Sequence, residues 1–271
     1  MDLMGVLPSP QSKFLCIIGA RNHSKYGEEV CRHLISGLAG HDVVIVSGLA
    51  IGIDSISHKS ALEANLKTIA FPGSGLSPKV LYPLSKRHLG KKIVESGGAL
   101  LSPFEYDQMG SFWTFPVRNR LMAGMSHATL VIEGRRHSGT LLTADYAAEF
   151  GRDVLAVPGS IFSELSYGPH MLIERGAVPV TNSSDILRAL GFDIHSGKNK
   201  KRAETQSLFE LSLSPEEKRI VDLLRNDNLS ASEIIEHMKI SSSQFNVIAS
   251  NLELRNIITE DDGFYRINVL S

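Results

Sequence analysis

Arg118, Asn119 and Arg120 stand within T-F-P-V-R-N-R-L-M-A-G, between Phe115-Pro116 and a small apolar run that reads as a helix entering the core. Two fixed positive charges at such an entry suit a pair of structural salt bridges or a clamp for an anion. The planar guanidinium fork matches phosphate and carboxylate well. Three further stretches offer related chemistry. G-A-R-N-H-S-K-Y-G (residues 19–27) places Gly19, Arg21 and Ser24 in a turn ahead of a helix. S-G-L-A-I-G-I-D-S-I-S-H (residues 47–58) supplies Ser47, Gly48 and Gly52. E-G-R-R-H-S-G-T-L-L-T-A opens a helix on Ser138, Gly139 and Thr140. A helix N-terminus presents free N–H groups and the positive end of its dipole, so each turn can receive an anion.

Each stretch also has a plainer reading. The first turn could simply cap a helix, and Asp54 is well placed to cap the next one. His58 reads as a hydrogen-bonded structural residue, and Arg135 and Arg136 as solvated loop charges. Together, however, the turns and arginines make a positive strip in a nearly neutral protein, which favours an extended phosphate-bearing ligand over a single small one. Phe112, Trp113 and Phe115 adjoin the Arg pair, where they could pack in the core or stack on unpaired bases.

Several function classes are excluded. The first turn is not G-x-G-x-x-G, and Ser47 stands where a dinucleotide site would carry an acid, which disfavours a nicotinamide cofactor. The sequence holds no Ser–His–Asp order, H-E-x-x-H, Walker A motif or cysteine cluster, hence no nucleophile or metal cage. The expectation is a binding protein, not an enzyme, without cofactor or metal. Cys16 and Cys31 lack metal-ligand spacing and read as small core residues of a reduced, cytoplasmic protein. No apolar run is long enough to span a membrane, and the N-terminus is not a secretory signal. Net charge is −1, but residues 1–192 hold 18 Lys/Arg against 16 Asp/Glu while residues 215–271 hold 6 against 10. A polyanion site therefore belongs in the first part.

The elements that position these turns follow from hydrophobic period. Short apolar runs (F-L-C-I-I, V-V-I-V, K-T-I-A-F, A-L-L, A-T-L-V-I, V-L-A-V and A-V-P-V) alternate with helical patterns. Such runs suit strands buried on both faces, and repeated βαβ units give a mostly parallel sheet. The first strand is expected about a dozen residues in. Ligands of such sheets bind beyond the carboxyl ends of the strands, where the glycines fall. Residues 1–192 form this α/β domain. Residues 193–214 lack an apolar period and read as a linker with a basic spot at Lys198, Lys200, Lys201 and Arg202. In residues 215–271, Ser214, Ser230 and Ser241 to Ser243 open three helices. A hairpin follows with Gly263 in its turn, the order of a winged helix.

These motifs, with F-P-V-R-N-R-L-M-A-G-M-S, G-R-D-V-L-A-V-P-G and G-P-H-M-L-I-E-R-G-A, resemble the DprA/Smf family of DNA-processing proteins over residues 14–190. The resemblance implies an extended Rossmann-like, three-layer domain that binds single-stranded DNA, usually as a homodimer. It also implies loading of the recombinase RecA on incoming strands in natural transformation. By motif, Arg21 and Ser24 would hold phosphate, Ser47 and Gly48 would belong to the second loop, and Arg118, Asn119 and Arg120 would contact the backbone or a base. Ser138 to Thr140 would line the groove. The C-terminal winged helix looks like that of many members. Two departures stand out: members of the family often have a helical N-terminal domain, whereas the first strand is expected here about a dozen residues in, and Val117 stands where some relatives carry a basic residue. The third helix of the winged unit carries one Arg near its far end and Glu253, which favours protein contact or self-association over DNA. An alternative is a nucleotide-binding or nucleotide-hydrolysing protein like the LOG phosphoribohydrolases, but Thr143 stands where their catalytic Glu would be. A winged-helix transcription regulator with a ligand-sensing Rossmann part is a third reading.

Overall fold

The computed structural model describes residues 1–136, 138–193, 214–224, 228–255, 257–261 and 263–267. The chain divides into two compact units, Met1–Ile194 and His195–Ser271. The expected linker at 193–214 lies outside the described residues apart from Asp193 and Ser214.

In the first unit the seven expected runs are strands: β2 (Lys13–Ile18), β3 (Val43–Ser47), β4 (Thr68–Ala70), β5 (Ala99–Ser102), β6 (Ala128–Val131), β7 (Asp153–Ala156) and β8 (Val178–Pro179). All seven pair in parallel. An eighth strand, β1 (Asp2–Gly5), corrects the expectation that the first strand lies a dozen residues in. It runs antiparallel on β5, with Asp2 opposite Ser102 and Gly5 opposite Ala99. Gly5 has φ +102°, and a Cβ there would lie 2.3 Å from Gly98 O, so only glycine fits.

The order across the sheet is β1-β5-β4-β3-β2-β6-β7-β8. From the central β2 the chain builds outward through β3 to β5, returns to β6 on the other side, and builds outward again. The β2/β6 boundary is thus the topological switch point, where a parallel sheet leaves a crevice beyond its carboxyl ends. Successive strand residues point to opposite faces. Leu15, Ile17 and Ile45 meet α1 (Lys25–Ser36), α2 (Ile53–Glu63) and α7 (Ser183–Ala189) on one face. Phe14, Cys16, Ile18, Val44 and Val46 meet α4 (Thr114–Met125), α5 (Gly139–Glu149) and α6 (Tyr167–Glu174) on the other. A smaller cluster of Leu49, Leu81, Leu89, Ile93 and Leu100 seats α3 (Arg87–Glu95). The result is a three-layer, mostly parallel α/β fold. Cys16 and Cys31 are buried free thiols, each pushed up to about 12 chiefly by burial.

The second unit holds α8 (Pro215–Leu224), β9 (Leu229–Ser230), α9 (Ala231–Met238), α10 (Ser242–Leu254), β10 (Ile258–Asp261) and β11 (Phe264–Ile267). Its helices start as the sequence directs. Ser214 and Glu217 bond each other's backbone N–H groups at 3.1 and 2.7 Å, and Ser230–Glu233 and Ser241–Gln244 form the same reciprocal box. The sheet order is β10-β11-β9. Ile220, Ile234, Phe245, Leu252 and Ile257 form its core.

Candidate functional site

A cleft of about 470 Å³ opens at the switch point. The turn after β2 contributes Gly19, Ala20, Arg21 and Asn22; the segment after β3 contributes Ala50 and Asp54; that after β6 contributes Arg135, Ser138, Gly139 and Thr140. Helix α4 supplies Phe115, Arg118, Asn119 and Met122.

The first turn of α4 is fixed before it reaches the cleft. Thr114 Oγ1 accepts from Ser111 N at 3.0 Å and lies 2.6 Å from Gly73 O. Pro116 is tolerated there because first-turn N–H groups lack helical partners. Phe115 packs so closely on Gly73 that a Cβ on that glycine would come within 2.4 Å of its ring. Two guanidinium carbons face the Phe115 ring: Arg21 at 5.3 Å and Arg118 at 5.9 Å from its centroid, within cation–π range.

Arg118 is no exposed clamp. It is 4% exposed at the cleft floor, with Nη1 donating to Phe71 O at 2.7 Å. Its buried Nε has no partner among the described residues. Asp54, also buried, is its nearby countercharge: burial pushes the carboxyl up and Arg118 pulls it back down. The same burial lowers Arg118, with Asp54 opposing. A buried cation with an unsatisfied donor is costly unless an anion completes it. The expected capping role of Asp54 is therefore corrected. Helix α2 starts after Gly52 without a side-chain cap; Asp54 Oδ2 accepts a long 3.4 Å bond from Ala50 N, ahead of the helix, and lines the cleft.

The structure gathers Gly19, Arg21, Arg118, Asn119, Ser138, Gly139 and Thr140 in the cleft, and leaves Ser24, Ser47, Gly48, Gly52 and Arg120 outside its lining. Ser47 is fully buried and donates to Ile17 O at 2.7 Å, tying β3 to β2. Gly48 makes room: a Cβ there would lie 1.6 Å from Arg118 Nη1. Gly52, at φ +83°, lets its turn approach Ala20 O and Arg21 O. Ser24 caps α1 but faces an internal anion. Its N–H donates to Glu133 Oε2 at 3.0 Å and its hydroxyl to Glu133 Oε1. Glu133 is 3% exposed, so a carboxylate of the chain itself fills the α1 terminus. Arg120 lies two positions from Arg118, just over half a helical turn away, on the opposite side of α4. It pairs with Glu149 at 3.2 Å and lies over the rings of Tyr146 and Phe150.

The α5 terminus remains open. Ser138 occupies the cap position without making a cap bond, and its buried Oγ has no partner among the described residues. His137 lies outside the described residues. Thr143, at the position of the missing Glu, donates to Gly139 O at 3.3 Å and lines the cleft. Asp54 lines the cleft although its spacing reads as a helix cap, and Phe115, open between core packing and base stacking in the sequence, lines it too. Among the described residues, no group of three or more His, Cys, Asp or Glu could hold a metal ion, and no helix is long and apolar enough to cross a membrane.

The chain is 43% identical over 191 residues to Protein Smf of Escherichia coli, covering 70% of this chain and 50% of that protein. It is 40% identical over 178 residues to the DNA processing protein DprA of Streptococcus pneumoniae, covering 66% and 62%. It thus spans half to three fifths of these curated relatives. The X-ray structure of the pneumococcal protein superposes with a TM-score of 0.66 at 38% identity, over 70% of this chain and 66% of that one. The Helicobacter pylori DNA processing protein A, solved for its single-stranded DNA binding mode, superposes at 0.62 and 27% identity, over 69% and 85%. A family model described as DNA recombination-mediator protein A matches residues 3–191. With the match running from β1 to the end of α7 and enclosing every residue of the cleft, the chain belongs to the DNA recombination-mediator protein A family.

Proposed function

We propose that this chain binds single-stranded DNA without base-sequence preference, as a homodimer, and hands the strand to the recombinase RecA in homologous recombination or natural transformation. The observation that carries the reading is one cleft in which Arg21, the incompletely satisfied Arg118 and the open α5 N-terminus converge beside the flat Phe115 ring. Guanidinium groups and free amides suit backbone phosphates, while an aromatic wall suits an unpaired base. Asn119 completes the contacts. Arg120 and Ser24 take no part, and Ser47, Gly48 and Gly52 act by shaping the walls. The second unit, acidic in sequence and exposing Val247 and Leu254 on α10, is read as a winged helix that contacts protein rather than DNA.

The test is fluorescence anisotropy with a labelled mixed-sequence oligonucleotide, single- and double-stranded, across a salt series. Single strands are expected to bind more tightly, and Arg21→Ala is expected to flatten the log–log salt slope by about 0.7. Equal affinity for the two forms, or binding untouched by Arg21→Ala combined with Arg118→Ala, sinks the reading. Asp54 gives a nucleotide hydrolase its one foothold, a carboxylate in the cleft. Release of free base from a nucleoside monophosphate, abolished in Asp54→Asn, would establish that function instead.

A further inference from the structure

The segment before α4 exposes apolar surface that no described element of the first unit covers. Within eight residues, Phe112 is 89% exposed, Met109 71%, Tyr106 50% and Trp113 48%. This exposure does not come from a loose loop. Gly75 N donates to Gln108 O at 2.8 Å and Ser77 N to Tyr106 O at 2.9 Å. Gly75 fits so closely that a Cβ would lie 2.2 Å from Glu105 O. Trp113 stands edge-on to the buried Phe104, 87° between planes and 5.7 Å between centroids, which holds the indole in place. The segment runs directly into Phe115, the aromatic wall of the cleft.

We propose that Phe112, Trp113 and Met109 form a stacking ledge for unpaired nucleobases of the strand whose phosphates occupy the cleft. The inference rests on the single-strand reading and adds where the bases go. Two observations select this occupant. The ledge continues an anion site through the first turn of α4, so a strand leaving the cleft past Phe115 reaches it. Exposed Glu105 and Asp107 in the same segment repel phosphate, leaving uncharged flat rings as what the ledge can accept. Stacking on aromatic side chains tolerates any base, which suits binding without sequence preference.

Trp113 is the only tryptophan of the chain and reports directly. The full chain is titrated with two labelled oligonucleotides of equal length, one of thymidines and one abasic, while anisotropy and tryptophan emission are recorded together. The thymidine strand is expected to quench Trp113 in parallel with the anisotropy rise, and the abasic strand to bind without quenching. Phe112→Ala with Met109→Ala, both at exposed positions, is expected to weaken thymidine binding about tenfold and abasic binding less than about twofold. Binding of the thymidine strand without quenching, or equal loss on both strands in the double variant, overturns the ledge alone. No binding of either strand by the unmodified protein overturns the ledge together with the single-strand reading. Concentration-dependent self-association abolished by the double variant, with thymidine binding intact, assigns the patch to a second copy of the chain instead.

Discussion

Neighbouring arginines with the same sequence context end in different chemistry. Arg118 is buried beside Asp54 at the floor of the cleft, while Arg120 is spent on Glu149 and two rings. Arg120→Ala should therefore change single-strand affinity by less than about twofold, because an exposed pair contributes little and lies outside the site. Arg21→Ala in the same anisotropy assay should weaken binding markedly, and a reversed ranking would show that the strand runs over α5 instead. His58 acts through stability. It is fully buried, and its Nδ1 lies 2.7 Å from Thr68 Oγ1, which in turn lies 2.8 Å from Ile45 O. Burial pushes its pKa down from 6.5 to about 3. Its folded pKa is depressed, so its contribution is full above about pH 6.5 and shrinks as the unfolded chain takes up the proton, by about 1.4 kcal/mol per pH unit down to about 3. The stability gap between the native protein and His58→Asn should narrow as pH falls from 7 to 5, measured by urea denaturation; a constant gap would contradict it.

At the scale of elements, the site depends on how closely three turns approach one another. A Cβ at Gly48 would strike both Arg118 Nη1 and Asp54 Oδ2, at 1.6 and 2.5 Å. Gly48→Ala should therefore force the buried Arg118 guanidinium and Asp54 carboxyl to shift, disturbing the cleft floor itself and costing about 3 kcal/mol. It should lower both the melting temperature and the affinity for DNA. A variant as stable as the native protein would mean that Arg118 can swing out freely. Much of this level is legible in the sequence. The strands β2 to β6 announce themselves as continuous apolar runs because nearly every residue in them is buried, whereas β8 shows as A-V-P-V although both its residues are exposed. The helix starts of the second unit show as Ser with Glu or Gln three residues on. β1 is not legible: D-L-M-G is short, has no β-branched residue and half its positions are exposed, so only its pairing with β5 makes it a strand. The role of Asp54 is hidden for a related reason. An acid one residue into a helix looks like a cap, and only the fold brings Arg118, from 64 positions along the chain, to face it. Ser24 misleads in the same way, because Glu133 arrives from β6 to fill its terminus.

At the scale of the whole molecule, every described residue lining the cleft lies in the first unit, which has its own cores, while the second unit has a separate one. A chain ending at Asp193 should keep the single-strand affinity of the full chain within about threefold when each is measured as the same oligomer. A loss of tenfold or more would give the second unit a direct share in DNA binding. Fold class and the turns that line the cleft are thus written locally, whereas the depth of each arginine is set by contacts remote in sequence.

The crevice at the β2/β6 boundary has a consequence for the timing of synthesis. Its walls come from Ile18 to Asn22, Ala50, Asp54, Phe115, Arg118, Asn119, Met122, Arg135, Ser138 to Thr140, Thr143 and Leu165, and its floor needs β3, β2 and β6 side by side. No shorter nascent fragment contains both sides of the crevice. A chain still emerging from the ribosome carries Arg21 long before α5 exists, yet has no assembled crevice. The crevice therefore arrives late and all at once, with the closing of the second half of the sheet.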